Sequence, residues 1–326
     1  RIIDLTNGEA GIRPTSKTRI LFTDWIDQYA EKAKLSHKGN GYVSMLRSVR
    51  FQLLAYMGNT AKTKLLQAID EEFCIGFITF LNNATTSNGK LLSGTTIYHY
   101  SRWLKDILQR AVVDELITRN PIDKLIQNKE MPVRPDVQMD YLTIDEVKLL
   151  MQTPLRQTQI KQAFLFACFT GLRISDILQL QWNNIKTDGN AIRFEIIMKK
   201  TGKPLAGKIP NAAKEWMPEQ TDSPLVFSNI PTPTNIDVVI RRWIATSGIS
   251  KHVTFHTARH TFATMGLTLG TDLYTISKLL GHKYIAPRRY MPKSSTRRKT
   301  KQAIYLIMHS KILANKDDII KVKNLT

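Results

Sequence analysis

The chain has 326 residues, enough for two domains that each bury a hydrophobic core. No apolar run approaches the roughly 18 residues of a membrane-spanning helix, and no signal-peptide pattern opens the chain, so we expect a cytoplasmic protein. Lys and Arg outnumber Asp and Glu by 47 to 27, a net charge of +20. An excess of this size favours a polyanionic partner, usually nucleic acid, although charge alone leaves a merely basic soluble protein open.

The cysteines bear on redox chemistry and metal binding. Cys74 and Cys168 lie among apolar residues, a setting that is typical of buried free thiols in a reducing compartment. The spacing of cysteines and histidines shows no metal-binding pattern. We therefore expect neither a metal nor a cofactor.

The first part of the chain has helical periodicity. Residues 1–18 are polar and are expected to form a poorly ordered lead-in. Helical spacing then begins with the apolar residues Phe22, Trp25, Ile26 and Tyr29. The periodicity is interrupted at four places: residues 36–41, 58–60, 82–89 and 119–121. The pattern predicts an all-helical domain over residues 19–127, with four or so helices.

A second domain follows a short connecting segment. Residues 128–140 contain two prolines and no periodicity, which predicts a linker. Directly after them, Thr143 and Glu146 have the spacing of a capping box, the start signal of a helix. We predict the second domain over residues 141–310 and a C-terminal tail over residues 311–326.

One stretch of the second domain has strand periodicity. Ile192, Phe194 and Ile196 alternate with other residues, and a turn of sequence Lys-Lys-Thr-Gly-Lys follows. The pattern predicts a β-hairpin or a small three-stranded sheet over residues 191–210. The predicted fold class is therefore mainly α with a small β element, in two domains.

Four short strings carry chemically active side chains in a fixed order. In the first, Thr-Gly-Leu-Arg-Ile-Ser-Asp, Arg173 opens a helix and Asp176 follows on the same face, which is also the pattern of an ordinary ion pair. The second is Lys200 in the predicted hairpin turn, a place where basic residues are common.

The third and fourth strings come later in the second domain. His-Thr-Ala-Arg-His places His256 and Arg259 on one helical face, a geometry that suits holding one phosphate from two directions. His260, beside them, is expected to be structural. The fourth string, Leu-Leu-Gly-His, ends at His282, and Tyr290 follows eight residues later.

Taken in order, the strings resemble the signature of the tyrosine recombinases, the family of phage-type and transposon-type integrases. That signature is an Arg, a hairpin Lys, His-x-x-Arg, Leu-Gly-His and a Tyr, and the match covers most of residues 141–290. The helical segment before it resembles the family's core-binding, SAM-like domain. The resemblance implies a site-specific recombinase that cleaves and rejoins duplex DNA through a 3′-phosphotyrosine, for a mobile element.

These residues suit phosphoryl transfer, in which charge spreads over the phosphate oxygens and catalysis consists mainly of positioning and electrostatic stabilisation. The planar guanidinium groups of Arg173 and Arg259 would hold the two non-bridging oxygens. By resemblance, Lys200 is the general acid that protonates the departing 5′ oxygen. His256 and His282 would donate hydrogen bonds to the phosphate or assist proton movement.

The candidate nucleophile is Tyr290, and the resemblance weakens around it. The family usually places this tyrosine nine residues after the Leu-Gly-His histidine, behind a Thr-Thr-Gln-like string. Here the spacing is eight and the preceding residues are Pro-Arg-Arg. Residues 287–326 hold 11 Lys or Arg and 2 Asp, so they supply much of the positive charge.

One hypothesis is that this tail is translated in a shifted frame. Codons can be chosen for residues 287–300 such that one restored A in front gives Thr-Thr-Gln-Val-Tyr-Ala-Lys-Ile-Val-Asp-Lys-Lys-Lys-Asp. That string has the family's spacing of nine and the start of its usual following helix. Tyr290 would then be a by-product of the shift, one position out of register.

Two alternatives to an active recombinase stay open. The altered tail favours a catalytically impaired DNA-binding relative, and a type IB topoisomerase would use the same chemistry without choosing a sequence. The Leu-Gly-His string and the separate helical domain favour the recombinase over the topoisomerase. The resemblance also implies double-stranded DNA as the partner and a homotetramer on two duplexes during strand exchange, with a monomer in free solution.

Overall fold

The computed structural model describes residues 19–36, 39–136, 139–189, 191–231 and 233–281. Within these ranges, no helix combines the length and the apolar character that a bilayer span requires. The chain divides between residues 137 and 138 into two compact units, each with its own hydrophobic core.

The first unit is built from helices, as its periodicity predicts. In chain order its α-helices are α1 (Phe22–Leu35), α2 (Asn40–Met57), α3 (Glu71–Asn83), α4 (Gly94–Val113) and α5 (Ile122–Gln127). Two of them begin at side-chain caps, because Asp70 accepts a hydrogen bond from the Phe73 N–H at 2.8 Å and Ser93 accepts one from the Thr96 N–H at 3.2 Å. The apolar faces of these helices pack against one another in one core, in which Trp25 is fully buried.

The second unit is mainly helical as well. Its α-helices are α6 (Ile144–Gln152), α7 (Thr158–Thr170), α8 (Ile174–Ile177), α9 (Asn211–Lys214), α10 (Pro233–Thr246), α11 (Phe255–Thr268) and α12 (Leu273–Leu279). The predicted capping box at the start of α6 is confirmed. The Glu146 N–H donates to Thr143 Oγ1 at 3.2 Å, and the Thr143 N–H donates to Glu146 Oε2 at 2.7 Å.

The predicted β element is a three-stranded antiparallel sheet. Its strands are β1 (Ile185–Asp188), β2 (Ala191–Ile197) and β3 (Pro204–Ile209), in the order β1-β2-β3. Phe194 and Ile196 of β2 are buried in the core of the unit, as their alternation indicates. Opposite Phe194 lies Gly207, where a Cβ would be 2.7 Å from the aromatic ring. The Phe194 ring therefore lies directly over Gly207 on the core-facing side of the sheet, where a larger residue would displace it.

Helix α7 lies at the centre of the second unit. Every residue from Ala163 to Thr170 is buried, as expected of a helix that is apolar on all sides. The ring of Phe164 packs edge-on against Trp243 of α10 and Phe255 of α11, with ring centroids 5.8 Å apart in both pairs. This packing holds the first turn of α11 beside α7.

Both cysteines are free and buried, as the sequence predicts. Burial raises the pKa of the Cys74 thiol to about 12 and raises the pKa of Cys168 as well. Neither thiol is ionised near neutral pH, so neither has the reactivity of a catalytic thiolate.

Candidate active site

A glycine turn at the end of α7 brings three helices together. Gly171 has a left-handed backbone conformation, with φ of 71°, which glycine adopts without strain. A Cβ at this position would lie 2.6 Å from the ring of Phe262 on α11 and 2.8 Å from the Leu280 side chain that follows α12. The turn therefore permits close contact between the ends of α7 and α12 and the side of α11, and it leads directly to Arg173.

Arg259 lies in the middle of this contact. Its side chain is only 4% exposed, and its guanidinium group donates hydrogen bonds to the carbonyl oxygens of Gly171, at 2.8 Å, and Leu280, at 2.7 Å. Both carbonyls lie at helix C-termini, where the helix dipole favours a cation. Burial and the positive charge of Arg173 lower the pKa of Arg259 to about 10, so the group stays charged at neutral pH.

Arg173 lies at the start of α8, with an extended backbone just before the first helical residue. Its Nη1 is 3.8 Å from Oδ2 of Asp176, so the ion pair expected from their spacing is present. Asp176 is completely buried, and its other oxygen accepts a hydrogen bond from the Lys199 N–H at 2.9 Å. One carboxylate thus connects Arg173 to the hairpin turn.

Lys200 lies in that turn, between β2 and β3, with its side chain exposed. The turn closes on the carbonyl oxygen of Met198, which accepts hydrogen bonds from the N–H groups of Thr201, at 3.3 Å, and Gly202, at 2.8 Å. Since the peptide of Lys199 is also held by Asp176, the backbone on both sides of Lys200 is fixed.

His256 is in the first turn of α11, one turn before Arg259. The start of this helix is held by α10, because Asp237 accepts a hydrogen bond from the Phe255 N–H at 2.8 Å. The pKa of His256 is lowered from its ordinary value, first by partial burial and then by the positive charges of His260, Arg259, Arg173 and Lys200.

His260, expected to be structural, packs edge-on against His256 with ring centroids 4.7 Å apart. Its pKa is also lowered, by burial and by Arg259. Its Nε2 is buried and has no hydrogen-bond partner among the residues that the structure describes.

The structure brings together four of the six side chains that the sequence singles out: Arg173, Lys200, His256 and Arg259. Arg259 bonds the carbonyl oxygen two residues before Arg173, and His256 lies one turn before Arg259 on the same helix. The carboxylate that pairs with Arg173 also binds the backbone N–H of the residue before Lys200. The four side chains come from three separate stretches of the chain. The remaining two, His282 and Tyr290, lie outside the described residues, as does the tail to which the shifted-frame hypothesis applies. The second contact of Asp176, with the Lys199 N–H, is a feature of this cluster that the sequence does not indicate.

Two family models match the chain. The phage integrase family matches residues 140–295, and the phage integrase SAM-like domain matches residues 21–129. Together they account for most of the chain. The chain belongs to the phage integrase family of tyrosine recombinases.

Curated relatives agree with this assignment. The chain is 29% identical over 197 residues to tyrosine recombinase XerC of Chlamydia caviae, a match that covers 55% of this chain and 61% of the relative. It is 24% identical over 253 residues to a tyrosine recombinase of Thermosipho africanus, which covers 76% of this chain and 86% of the relative. The first match thus spans about three fifths of the length of that relative.

The fold has solved counterparts. A lambda integrase tetramer bound to a Holliday junction matches with a TM-score of 0.65 at 18% identity, covering 86% of this chain and 82% of that chain. At this identity the match shows the fold, which is the predicted one.

Proposed function

We propose that this protein is a site-specific DNA recombinase that cleaves and rejoins duplex DNA through a 3′-phosphotyrosyl intermediate. The observation that carries the proposal is the convergence of three cationic side chains and a histidine in one place. Like charges at short range repel, and a phosphate is the ligand that relieves this repulsion while using every donor. The reaction implied is phosphoryl transfer.

Arg173 and Arg259 would bind the non-bridging oxygens of the scissile phosphate. Each is fixed before the substrate arrives: Arg259 by two backbone carbonyls and Arg173 by Asp176. Donors that are already oriented stabilise developing charge without reorganising during the reaction. The two guanidinium groups also provide planar, paired donors that lysines lack.

The remaining roles follow the chemistry of the exchange. The hydroxyl oxygen of Tyr290 would form a bond to phosphorus as the bond to the 5′ oxygen breaks, and Lys200 would protonate that leaving oxygen. His256 and His282 would donate hydrogen bonds to the phosphate or assist proton movement. In the reverse step a 5′ hydroxyl attacks the phosphotyrosine, so the phosphodiester energy is conserved and rejoining requires no ATP.

The two units would divide the work on DNA. We assign residues 19–127 to a core-binding domain and residues 141–310 to the catalytic domain, joined by the linker at 128–140 and followed by the tail at 311–326. A homotetramer on two duplexes would carry out strand exchange for a mobile element, with a monomer in solution. The lambda integrase tetramer on a Holliday junction supports this assembly. Because its substrate is DNA, the protein would act in the cytoplasm.

A nicked suicide duplex tests the proposal. The duplex carries the end of the element that encodes the protein and a nick beside the scissile phosphate. After cleavage, the short fragment that carries the free 5′ hydroxyl diffuses away, so rejoining is prevented and a covalent adduct accumulates. We expect a protein–DNA adduct with the wild-type chain and with Tyr305→Phe, a control in the same tail, but not with Tyr290→Phe. An adduct that survives in Tyr290→Phe would show that another residue is the nucleophile.

A second candidate function is DNA binding without cleavage. The observation in its favour is the tail, where Tyr290 follows His282 by eight residues and the neighbouring sequence departs from the family pattern. Sequence-specific binding in a footprinting assay, with no adduct on the suicide duplex, would establish this candidate over the enzyme. Sequencing the gene across codons 287–300 tests the shifted frame directly, since codons that do not restore the family string end that hypothesis.

A further inference from the structure

Met198 lies between three parts of the candidate active site. It follows β2, its side chain is 2% exposed, and it is not one of the residues that the family signature contains. We propose that Met198 is a positioning residue that holds the Arg173 guanidinium group, the Lys200 turn and the backbone before His282 in one arrangement. This inference rests on the proposed function, because it concerns the same reaction.

The first contact is with Arg173. The Met198 thioether sulfur accepts a hydrogen bond from Arg173 Nη1 at 3.3 Å. The same nitrogen lies 3.8 Å from Oδ2 of Asp176. A thioether is a weak acceptor but a polarisable one, so it orients the cation without neutralising it. Met198 thus orients Arg173 together with Asp176 and adds no negative charge of its own beside the guanidinium group.

The second contact is with the hairpin turn. The Met198 N–H donates to the carbonyl oxygen of Lys203 at 2.9 Å, and the Met198 carbonyl oxygen accepts from Gly202 and Thr201. These bonds close the turn that carries Lys200. A displacement of Met198 therefore moves the general-acid candidate together with Arg173.

The third contact is with Gly281, the residue directly before His282. A Cβ at Gly281 would lie 2.8 Å from the terminal methyl carbon of Met198 and 2.9 Å from its sulfur. Gly281 also has a positive φ of 66°, so no other residue fits there without strain. The backbone at Gly281 thus packs directly on the thioether that holds Arg173.

A conservative substitution separates positioning from packing. Met198→Leu keeps the volume and removes the sulfur, and Met265→Leu makes the same change at an equally buried position of α11. For a weak hydrogen bond we expect adduct formation in Met198→Leu to slow by about two- to fivefold. DNA affinity and the melting temperature should match those of Met265→Leu. Equal rates in the two variants would overturn the proposal.

A double-mutant cycle tests whether the effect passes through Arg173. If it does, Met198→Leu slows adduct formation in the wild-type chain but adds little to Arg173→Lys, because the contact has already been altered. The same fold loss in both backgrounds would overturn the proposal.

A readout that needs no activity separates this inference from the function. The ¹⁵N NMR signal of the Arg173 side chain, assigned by its loss in Arg173→Lys, should shift in Met198→Leu and stay unchanged in Met265→Leu. A wild-type chain that forms no adduct would contradict the proposed function, while this signal still decides the placement of Arg173. An unshifted signal in Met198→Leu would refute that placement.

Discussion

Replacing Arg259 by alanine should slow cleavage by orders of magnitude while leaving the protein folded and bound to DNA. The two hydrogen bonds from its guanidinium group to Gly171 and Leu280 are charge-assisted and stabilise the fold by about 1.5–3 kcal/mol each. Burying the cation costs several kcal/mol in the opposite direction. Because these terms nearly cancel, we expect the free energy of unfolding to change by no more than about 2 kcal/mol.

The effect on the reaction should be far larger. Removing one oriented donor from a site that stabilises developing negative charge typically slows the chemical step by about 10²–10³-fold. DNA affinity should fall by less than about tenfold, since Arg259 contributes one phosphate contact among several. Arg259→Lys keeps the charge but lacks the planar pair of donors, so we expect it to remain at least about tenfold slower than wild type.

The assay is single-turnover adduct formation on the suicide duplex, with affinity measured separately by gel shift and folding by thermal melting. Arg156→Ala, which removes the same charge from an exposed position of the second unit, is the matched control and should cleave at the wild-type rate. The reasoning fails if Arg259→Ala cleaves as fast as Arg156→Ala, or if its affinity falls in parallel with its rate.

Three further predictions concern protonation, salt and folding. The pKa of His256 is lower in the folded state than in the unfolded chain. The neutral imidazole therefore contributes fully to stability above the pKa of the unfolded chain, and this contribution is lost as the pH falls from there through the folded-state pKa. Melting temperatures measured from neutral to acidic pH should thus fall less steeply in His256→Asn than in the wild-type chain. Lys200→Ala should reduce the slope of log affinity against log salt by about one unit, measured by titration at several salt concentrations, and an unchanged slope would show that Lys200 makes no phosphate contact. Thr143→Ala removes the cap of α6 and should lower stability by about 1 kcal/mol in a urea titration, with Thr153→Ala, just past the end of the same helix, as a comparison.

Local patterns were sufficient for much of the fold. Three predicted features depend only on neighbours in sequence, and all three are confirmed. They are the interruptions that separate the helices from α1 to α5, the capping box at Thr143, and the alternating burial of Phe194 and Ile196. Strand β1 and helix α9 were not predicted separately, because segments of four residues are too short to show a period.

In the candidate site as well, only contacts between neighbours in sequence could be predicted. The pairing of Arg173 with Asp176 could be predicted, since it follows from helical spacing. The second contact of Asp176, with the Lys199 N–H, joins residues that are 23 positions apart. The contact of Met198 with Arg173 joins residues 25 positions apart. Contacts of this kind arise from tertiary packing and leave no pattern in the sequence.

A crystal of the protein soaked in tungstate or vanadate would test most directly whether the four side chains serve one phosphate. Such an anion has the shape and charge of the transferring group, and the measurement needs no knowledge of the DNA sequence. We predict a single strong peak with Arg173, Lys200, His256 and Arg259 all within hydrogen-bonding distance of its oxygens. An anion bound elsewhere, or one held by Arg173 while Arg259 faces away from it, would contradict the account.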